Sequence, residues 1–182
     1  PTEETFFKNV YKLPPAHYFT YKNGEMTKTR YWRPEFEADT DGKTMTEYAD
    51  LVDDAIKESV EAHKISDVEV GSFLSSGIDS SYIAATANVD KTFTVGFGTD
   101  EKYNEISYAK EFADFINTVN ISKVITPEEY WGEFPKIQYQ MDEPLADPAA
   151  VPLYFVSKLA AEHVKVVLSG EGADELFGGY QI

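Results

Sequence analysis

The 182-residue sequence contains no cysteine. That excludes disulfides, thiolate zinc sites and a cysteine nucleophile within these residues, and it accords with a reducing cytoplasm. Basic residues are also scarce: 16 Lys and Arg stand against 32 Asp and Glu, for a formal charge of −16. A surface so acidic repels phosphate backbones and anionic lipids, so nucleic acid and membrane surfaces are not expected partners. No apolar run approaches the length of a membrane span, and Pro1-Thr2-Glu3-Glu4 has neither the basic nor the apolar region of an export signal. The triplet Asn120-Ile121-Ser122 fits a glycosylation acceptor, but without export it is expected to go unused. There is no Gly-x-Ser-x-Gly elbow either, and His17, His63 and His163 are scattered, which disfavours a serine hydrolase.

What is present suits a packed domain. Hydrophobic residues are 42 % and charged residues 26 % of the chain, near the values of globular proteins. Asn23-Gly24 lies between the β-rich runs Tyr18–Lys22 and Glu25–Trp32, and this pair suits a type I′ turn, so a hairpin is expected. A hairpin alone is marginal in water, which makes residues 1–38 read as the end of a domain whose larger part lies elsewhere. The polar run from Glu37 to Gly42 reads as a linker.

From Thr44 the period changes. Met45, Tyr48, Leu51, Val52, Ala55, Ile56, Ser59 and Val60 follow helical spacing. Strands are then expected at Val68–Leu74, Thr92–Phe97, Val119–Ile125 and Val164–Leu168. Helices are expected over Asp79–Asn88, Glu105–Ile116, after Pro127 and over Val151–His163. In the second of these, Tyr108, Phe112, Phe115 and Ile116 form a stripe expected to face the core. The alternation predicts an α/β fold, a mostly parallel sheet with helices on both faces, preceded by the hairpin. Ligands of such folds bind beyond the carboxyl ends of strands.

Two glycine- and serine-rich segments fall at such ends. Leu74-Ser75-Ser76-Gly77-Ile78-Asp79-Ser80-Ser81 leads from a strand into a helix, where small residues, successive N–H groups and the helix dipole favour an anion. Asp79 beside phosphates makes sense with Mg²⁺, a hard cation that binds carboxylates and substrate phosphates. Helix capping by Asp79, Ser80 and Ser81 is the plainer alternative. The segment is not a Walker A loop, since no Lys-Ser/Thr follows. In the second segment, Ser169-Gly170-Glu171-Gly172-Ala173-Asp174-Glu175, three carboxylates crowd together, which costs repulsion unless a cation or a substrate amine is near; an acid-rich helix start is the alternative.

The first segment resembles the Ser-Gly-Gly-x-Asp-Ser loop of the ATP pyrophosphatases, departing from it at Ser76. A position that needs positive φ would make that serine cost about 1 kcal/mol. The run Ser169 to Tyr180 resembles the Ser-Gly-Glu-Gly-x-Asp-Glu-x-Phe-Gly-Gly-Tyr signature of the glutamine-hydrolysing asparagine synthetases. Met141-Asp142-Glu143-Pro144 with Asp147-Pro148-Ala149 and Val151-Pro152 is similar to that family's Asp-Glu-Pro region. Phe6–Trp32, with Leu13-Pro14-Pro15, is similar to the end of its glutaminase domain.

The resemblance implies a glutaminase end over 1–38 and, over 39–182, an adenine nucleotide alpha-hydrolase-like synthetase domain that continues past Ile182. By the same resemblance Leu74 and Val95 border adenosine, Ser75, Gly77, Asp79, Ser80 and Ser81 cradle phosphates, and Ser169 and Gly170 meet the nucleotide from the second loop. Asp79 and Asp174 are implied Mg²⁺ ligands, and Glu171 with Asp174 is implied in forming a β-aspartyl-AMP intermediate. ATP, aspartate and ammonia from glutamine are the implied substrates, with a homodimer compatible. Another adenylating amidotransferase or a β-lactam synthetase-like enzyme would carry the same motifs, and a non-catalytic nucleotide-binding module would keep the same fold.

Overall fold

The computed structural model describes residues 3–35, 41–98 and 104–180. The chain divides into two compact units, Pro1–Thr44 and Met45–Ile182. Most of the expected linker from Glu37 to Gly42, and the expected boundary at residue 38, lie outside the described residues, as does the last stretch after Tyr180.

In the first unit, β1 (His17–Lys22) and β2 (Glu25–Arg30) form an antiparallel hairpin with Lys22 opposite Glu25. Asn23 and Gly24 both take positive φ, 56° and 85°, as a type I′ turn requires. The second strand stops at Arg30, two residues before the expected Trp32. Tyr31 turns its N–H to the Ala16 carbonyl (2.9 Å), and its ring stacks on Tyr18. Both strands are exposed along nearly their whole length, with Tyr21 and Trp32 among the bare aromatics.

The second unit is built around a four-stranded parallel sheet in the order β5-β4-β3-β6, from β3 (Val70–Phe73), β4 (Lys91–Phe97), β5 (Val119–Ile125) and β6 (Val166–Leu168). Around it run α1 (Met45–His63), α2 (Ile78–Ala87), α3 (Ile106–Phe115), α4 (Pro127–Gln140), α5 (Ala150–Ala161) and the short α6 (Ala173–Phe177). The α/β expectation with helices on both faces is met. On one face Phe93 packs with Val156, Ala160 and Val164, and Ile125 packs with Ile137, Val151 and Phe155, so α4 and α5 cover that side. On the other, Leu74 meets Ala84, Ala109 and Ala113 of α2 and α3, and Val60 of α1 joins Ala87 and Val89.

The edges of the expected elements shift for local reasons. β3 starts at Val70 because the Val68 N–H is taken by Ser66 Oγ (3.2 Å). β6 starts at Val166 because the His163 and Val164 N–H groups both return to Ala160 at the end of α5. In α3 the expected aromatic stripe is corrected: Phe112 and Ile116 pack on the core, but Tyr108 and Phe115 are exposed, the latter at 80 %. The buried stripe is Ala109 and Ala113, fully enclosed, whose small side chains let the helix lie close to its neighbours. In α1 the expected apolar stripe is buried only at its C-terminal end, at Val60; Leu51 is half exposed.

α4 opens with a device the sequence reading did not single out. The Glu129 N–H donates to Thr126 Oγ1 (3.2 Å) and the Thr126 N–H donates to Glu129 Oε2 (3.0 Å), a capping box with Pro127 next in line. The Lys123 ammonium beside Glu129, and then the Thr126 N–H, hold its carboxyl below the usual range. The candidate glycosylation asparagine is also spoken for: Asn120 Nδ2 donates to Thr92 Oγ1 (3.1 Å) and Thr94 Oγ1 (2.9 Å) inside the sheet.

Candidate functional site between two strand tips

The strand order reverses direction at β3. From there the chain builds outward through β4 and β5, then returns through α4 and α5 to place β6 on the opposite side of β3. The loops that leave β3 and β6 therefore emerge side by side at the carboxyl edge, the position where doubly wound sheets bind ligands. The first loop is fixed to the sheet at its root. Leu74 N–H donates to the Phe93 carbonyl (2.9 Å), and the buried Thr94 hydroxyl donates to the Leu74 carbonyl (2.7 Å).

Beyond Leu74 the loop ties itself into a tight turn. Ser75 N–H donates to Ser80 Oγ (3.1 Å), the two hydroxyls are 2.8 Å apart, and Gly77 N–H donates to Ser75 Oγ (3.1 Å). Gly77 is the N-cap of α2 with extended backbone, and no side chain caps the helix there, which leaves its first N–H groups aimed at the loop. Ser76 is not among the positive-φ residues, so serine in place of the family's glycine carries no left-handed strain. Its N–H donates to Glu105 Oε2 (3.3 Å).

The second loop is pressed against the first. A Cβ added at Gly170 would lie 2.9 Å from both the Asp79 carbonyl carbon and the Ser80 nitrogen, so only glycine permits this approach. Glu171 N–H donates to Ser169 Oγ (3.3 Å), Gly172 takes φ 93°, and α6 begins at once. Asp174 sits in its first turn, and its carbonyl accepts from the Gly178 and Gly179 N–H groups (2.9 and 3.1 Å). Tyr180 returns over the helix, and its hydroxyl donates to Glu175 Oε1 (2.8 Å). That hydrogen bond, with the surrounding carboxylates, pushes the Tyr180 phenol up to about 12.

Between the loops lies a cavity of about 330 Å³. Of the residues singled out from the sequence, Leu74, Ser75, Gly77, Asp79, Ser80, Val95, Ser169, Gly170, Glu171 and Asp174 line it. Ser81 does not: its hydroxyl donates back to the Gly77 carbonyl (2.8 Å), one turn earlier in α2. Neither His63 nor His163 lines it; the His163 ring stacks on Phe93. Sequence reading missed several lining residues. Thr94, Leu153 and Val156 carry no motif of their own, and Pro152 lies in the Asp-Glu-Pro region without an assigned role. Glu175 and Tyr180 lie in the second signature without an assigned role, and Glu105 marks only the expected start of a helix.

The electrostatics are one-sided. Asp79, Glu105, Glu171, Asp174 and Glu175 all line the cavity, and no lysine, arginine or histidine does among the described residues. A wall of this kind can take a polyphosphate only together with a cation, and it favours a positively charged amine. No group of three or more acidic or histidine side chains is arranged as a metal site among the described residues. Two carboxylates in the cavity wall nevertheless suit Mg²⁺, which commonly binds through one or two carboxylates, waters and substrate phosphates.

A parallel sheet with a serine- and glycine-rich turn at its switch point, facing a second acidic turn, defines an α/β protein with a ligand site between strand tips. The chain belongs to the asparagine synthase family, whose model matches residues 51–182. It is 50 % identical over 190 residues to asparagine synthetase [glutamine-hydrolyzing] 1 of Bacillus subtilis, a match covering the whole chain and 29 % of that protein. A putative asparagine synthetase [glutamine-hydrolyzing] of Mycobacterium tuberculosis is 43 % identical over the same share of each chain. Asparagine synthetase B [glutamine-hydrolyzing] of Escherichia coli is 29 % identical, over 95 % of this chain and 34 % of its own length. The chain thus spans about a third or less of these relatives.

Proposed function

We propose that this chain carries the ATP site of a glutamine-hydrolysing asparagine synthetase, a carbon–nitrogen ligase of the cytoplasm. Residues 1–38 are the end of its glutaminase domain and residues 39–182 the first part of its synthetase domain. The observation that carries the reading is the contact of Gly170 with Asp79, which brings two loops of separate strands to one cavity.

In this reading Leu74 and Val95 border adenosine, and Ser75, Gly77, Ser80 and the first turn of α2 receive the phosphates through N–H groups and hydroxyls. Ser169 and Gly170 close the site from the second loop. Asp79 and Asp174 hold Mg²⁺, which when bound would offset phosphate charge. The side-chain carboxylate of aspartate attacks the α-phosphorus of ATP; the bond to the bridging oxygen breaks, and pyrophosphate leaves. The β-aspartyl-AMP so formed is attacked at its acyl carbon by ammonia, the carbon–oxygen bond to AMP breaks, and the nitrogen loses a proton as asparagine forms. Glu171 orients the aspartate amine beside this centre. Catalysis is then positioning and charge stabilisation without a covalent protein intermediate.

Exchange of labelled pyrophosphate into ATP by the intact protein tests this. Aspartate-dependent exchange is expected; exchange driven by a different carboxylate would make the protein another adenylating enzyme of the same fold.

A further inference from the structure

Every N–H of the first loop from Ser75 to Gly77 already has an acceptor, and the three acceptors are of two kinds. Ser75 and Gly77 donate to the hydroxyls of Ser80 and Ser75, neutral groups that can rotate and can themselves donate to a phosphate. Ser76 donates to Glu105, a carboxylate that can only accept and that repels any phosphate oxygen brought to the same N–H. Glu105 comes from outside the loop, at the N-terminus of α3. It is free to reach across because it does not cap its own helix: Asn104 Oδ1 takes the Ile106 N–H instead (3.1 Å). The carboxylate lines the same cavity as Ser75 and Gly77, the residues on either side of Ser76.

We infer that Glu105 is a built-in competitor of phosphate: it holds the Ser76 N–H while the site is empty and surrenders it when a nucleotide or pyrophosphate arrives. The inference rests on the nucleotide reading of the cavity given above. Glu105 is a positioning residue, acting through the Ser76 amide. Its carboxylate keeps the turn in shape without ligand, at the expense of affinity, and favours release of the pyrophosphate product. That direction is opposite to what a metal ligand or a scaffold residue would produce on removal.

The test uses the intact protein and the variants Glu105→Ala and Glu105→Gln, with inorganic pyrophosphate at constant magnesium as the probe in calorimetry. Removing an acceptor of charge-assisted strength should tighten pyrophosphate binding by roughly tenfold in the alanine variant. Glutamine, which keeps an acceptor but loses the charge, should fall between alanine and wild type, and it decides the matter if the alanine variant does not fold. Hydrogen exchange gives a second readout: without ligand the Ser76 amide should exchange faster in Glu105→Ala than in wild type, and with pyrophosphate the two should converge. Unchanged or weaker binding in both variants overturns the competitor role. A wild-type protein that binds neither pyrophosphate nor ATP would instead overturn the nucleotide reading itself, and the inference with it.

Discussion

Gly170 lies against the backbone of Asp79 so closely that a single added carbon would meet it at 2.9 Å. The atoms it would strike are backbone, which cannot swing aside. One loop must therefore move off the other to admit a side chain, and the cavity between them opens. Gly170→Ala in the intact protein is expected to lower stability by about 1–3 kcal/mol, the usual range for overpacking. It should weaken ATP binding by at least tenfold. Thermal unfolding and equilibrium binding measure the two effects, and a variant with wild-type affinity would show that the loops need not touch.

α4 contributes nothing to the cavity, which gives a control for that argument. Thr126→Ala removes the hydroxyl from the capping box and is expected to cost about 1 kcal/mol in denaturant unfolding. ATP affinity should not change. A large loss of affinity would mean that the site senses the far helix.

Tyr180 offers a titration with a definite sign. Its hydrogen bond to Glu175 favours the neutral phenol, so the folded pKa, about 12, is raised above the unfolded value. The contribution of that bond to stability is therefore complete below the unfolded value and disappears as pH rises through about 12. The difference in phenolate absorbance between wild type and Tyr180→Phe should show this late midpoint. In Glu175→Gln the midpoint should move down, toward ordinary tyrosine.

The core makes a cruder forecast. Phe93 is fully enclosed between β3, α5 and the turn at His163. Phe93→Ala should destabilise the second unit by about 3–5 kcal/mol in chemical denaturation. A loss below 1 kcal/mol would mean that the cluster collapses around the hole.

Much of this is legible in the sequence, where one residue or one period decides the outcome. Asn23-Gly24 fixed the hairpin because few other pairs tolerate two positive φ angles in succession. The alternation of strand and helix led to the parallel sheet, and the two glycine-rich tips led to the cavity. Other features depend on partners distant in sequence. Tyr108 and Phe115 looked like core because helical spacing allows it, but Ala109 and Ala113 point at the sheet, and periodicity alone cannot say which of two neighbouring stripes faces inward. Ser76 looked strained only on the assumption of a glycine conformation that it does not adopt. Ser81, implied as a phosphate contact, lies one turn back on the helix and does not line the cavity. Glu105 gave no signal at all, because its meaning lies in an amide twenty-nine positions away.

The account depends on the two loops forming one nucleotide site, and a double-mutant cycle measures that directly. Affinity for magnesium-ATP would be determined for the intact protein, Asp79→Asn, Asp174→Asn and the double variant. The two carboxylates should be coupled, with the double variant departing from the sum of the single losses by about 1 kcal/mol or more. Losses that simply add would contradict the account and leave Asp79 and Asp174 as independent acids on neighbouring turns.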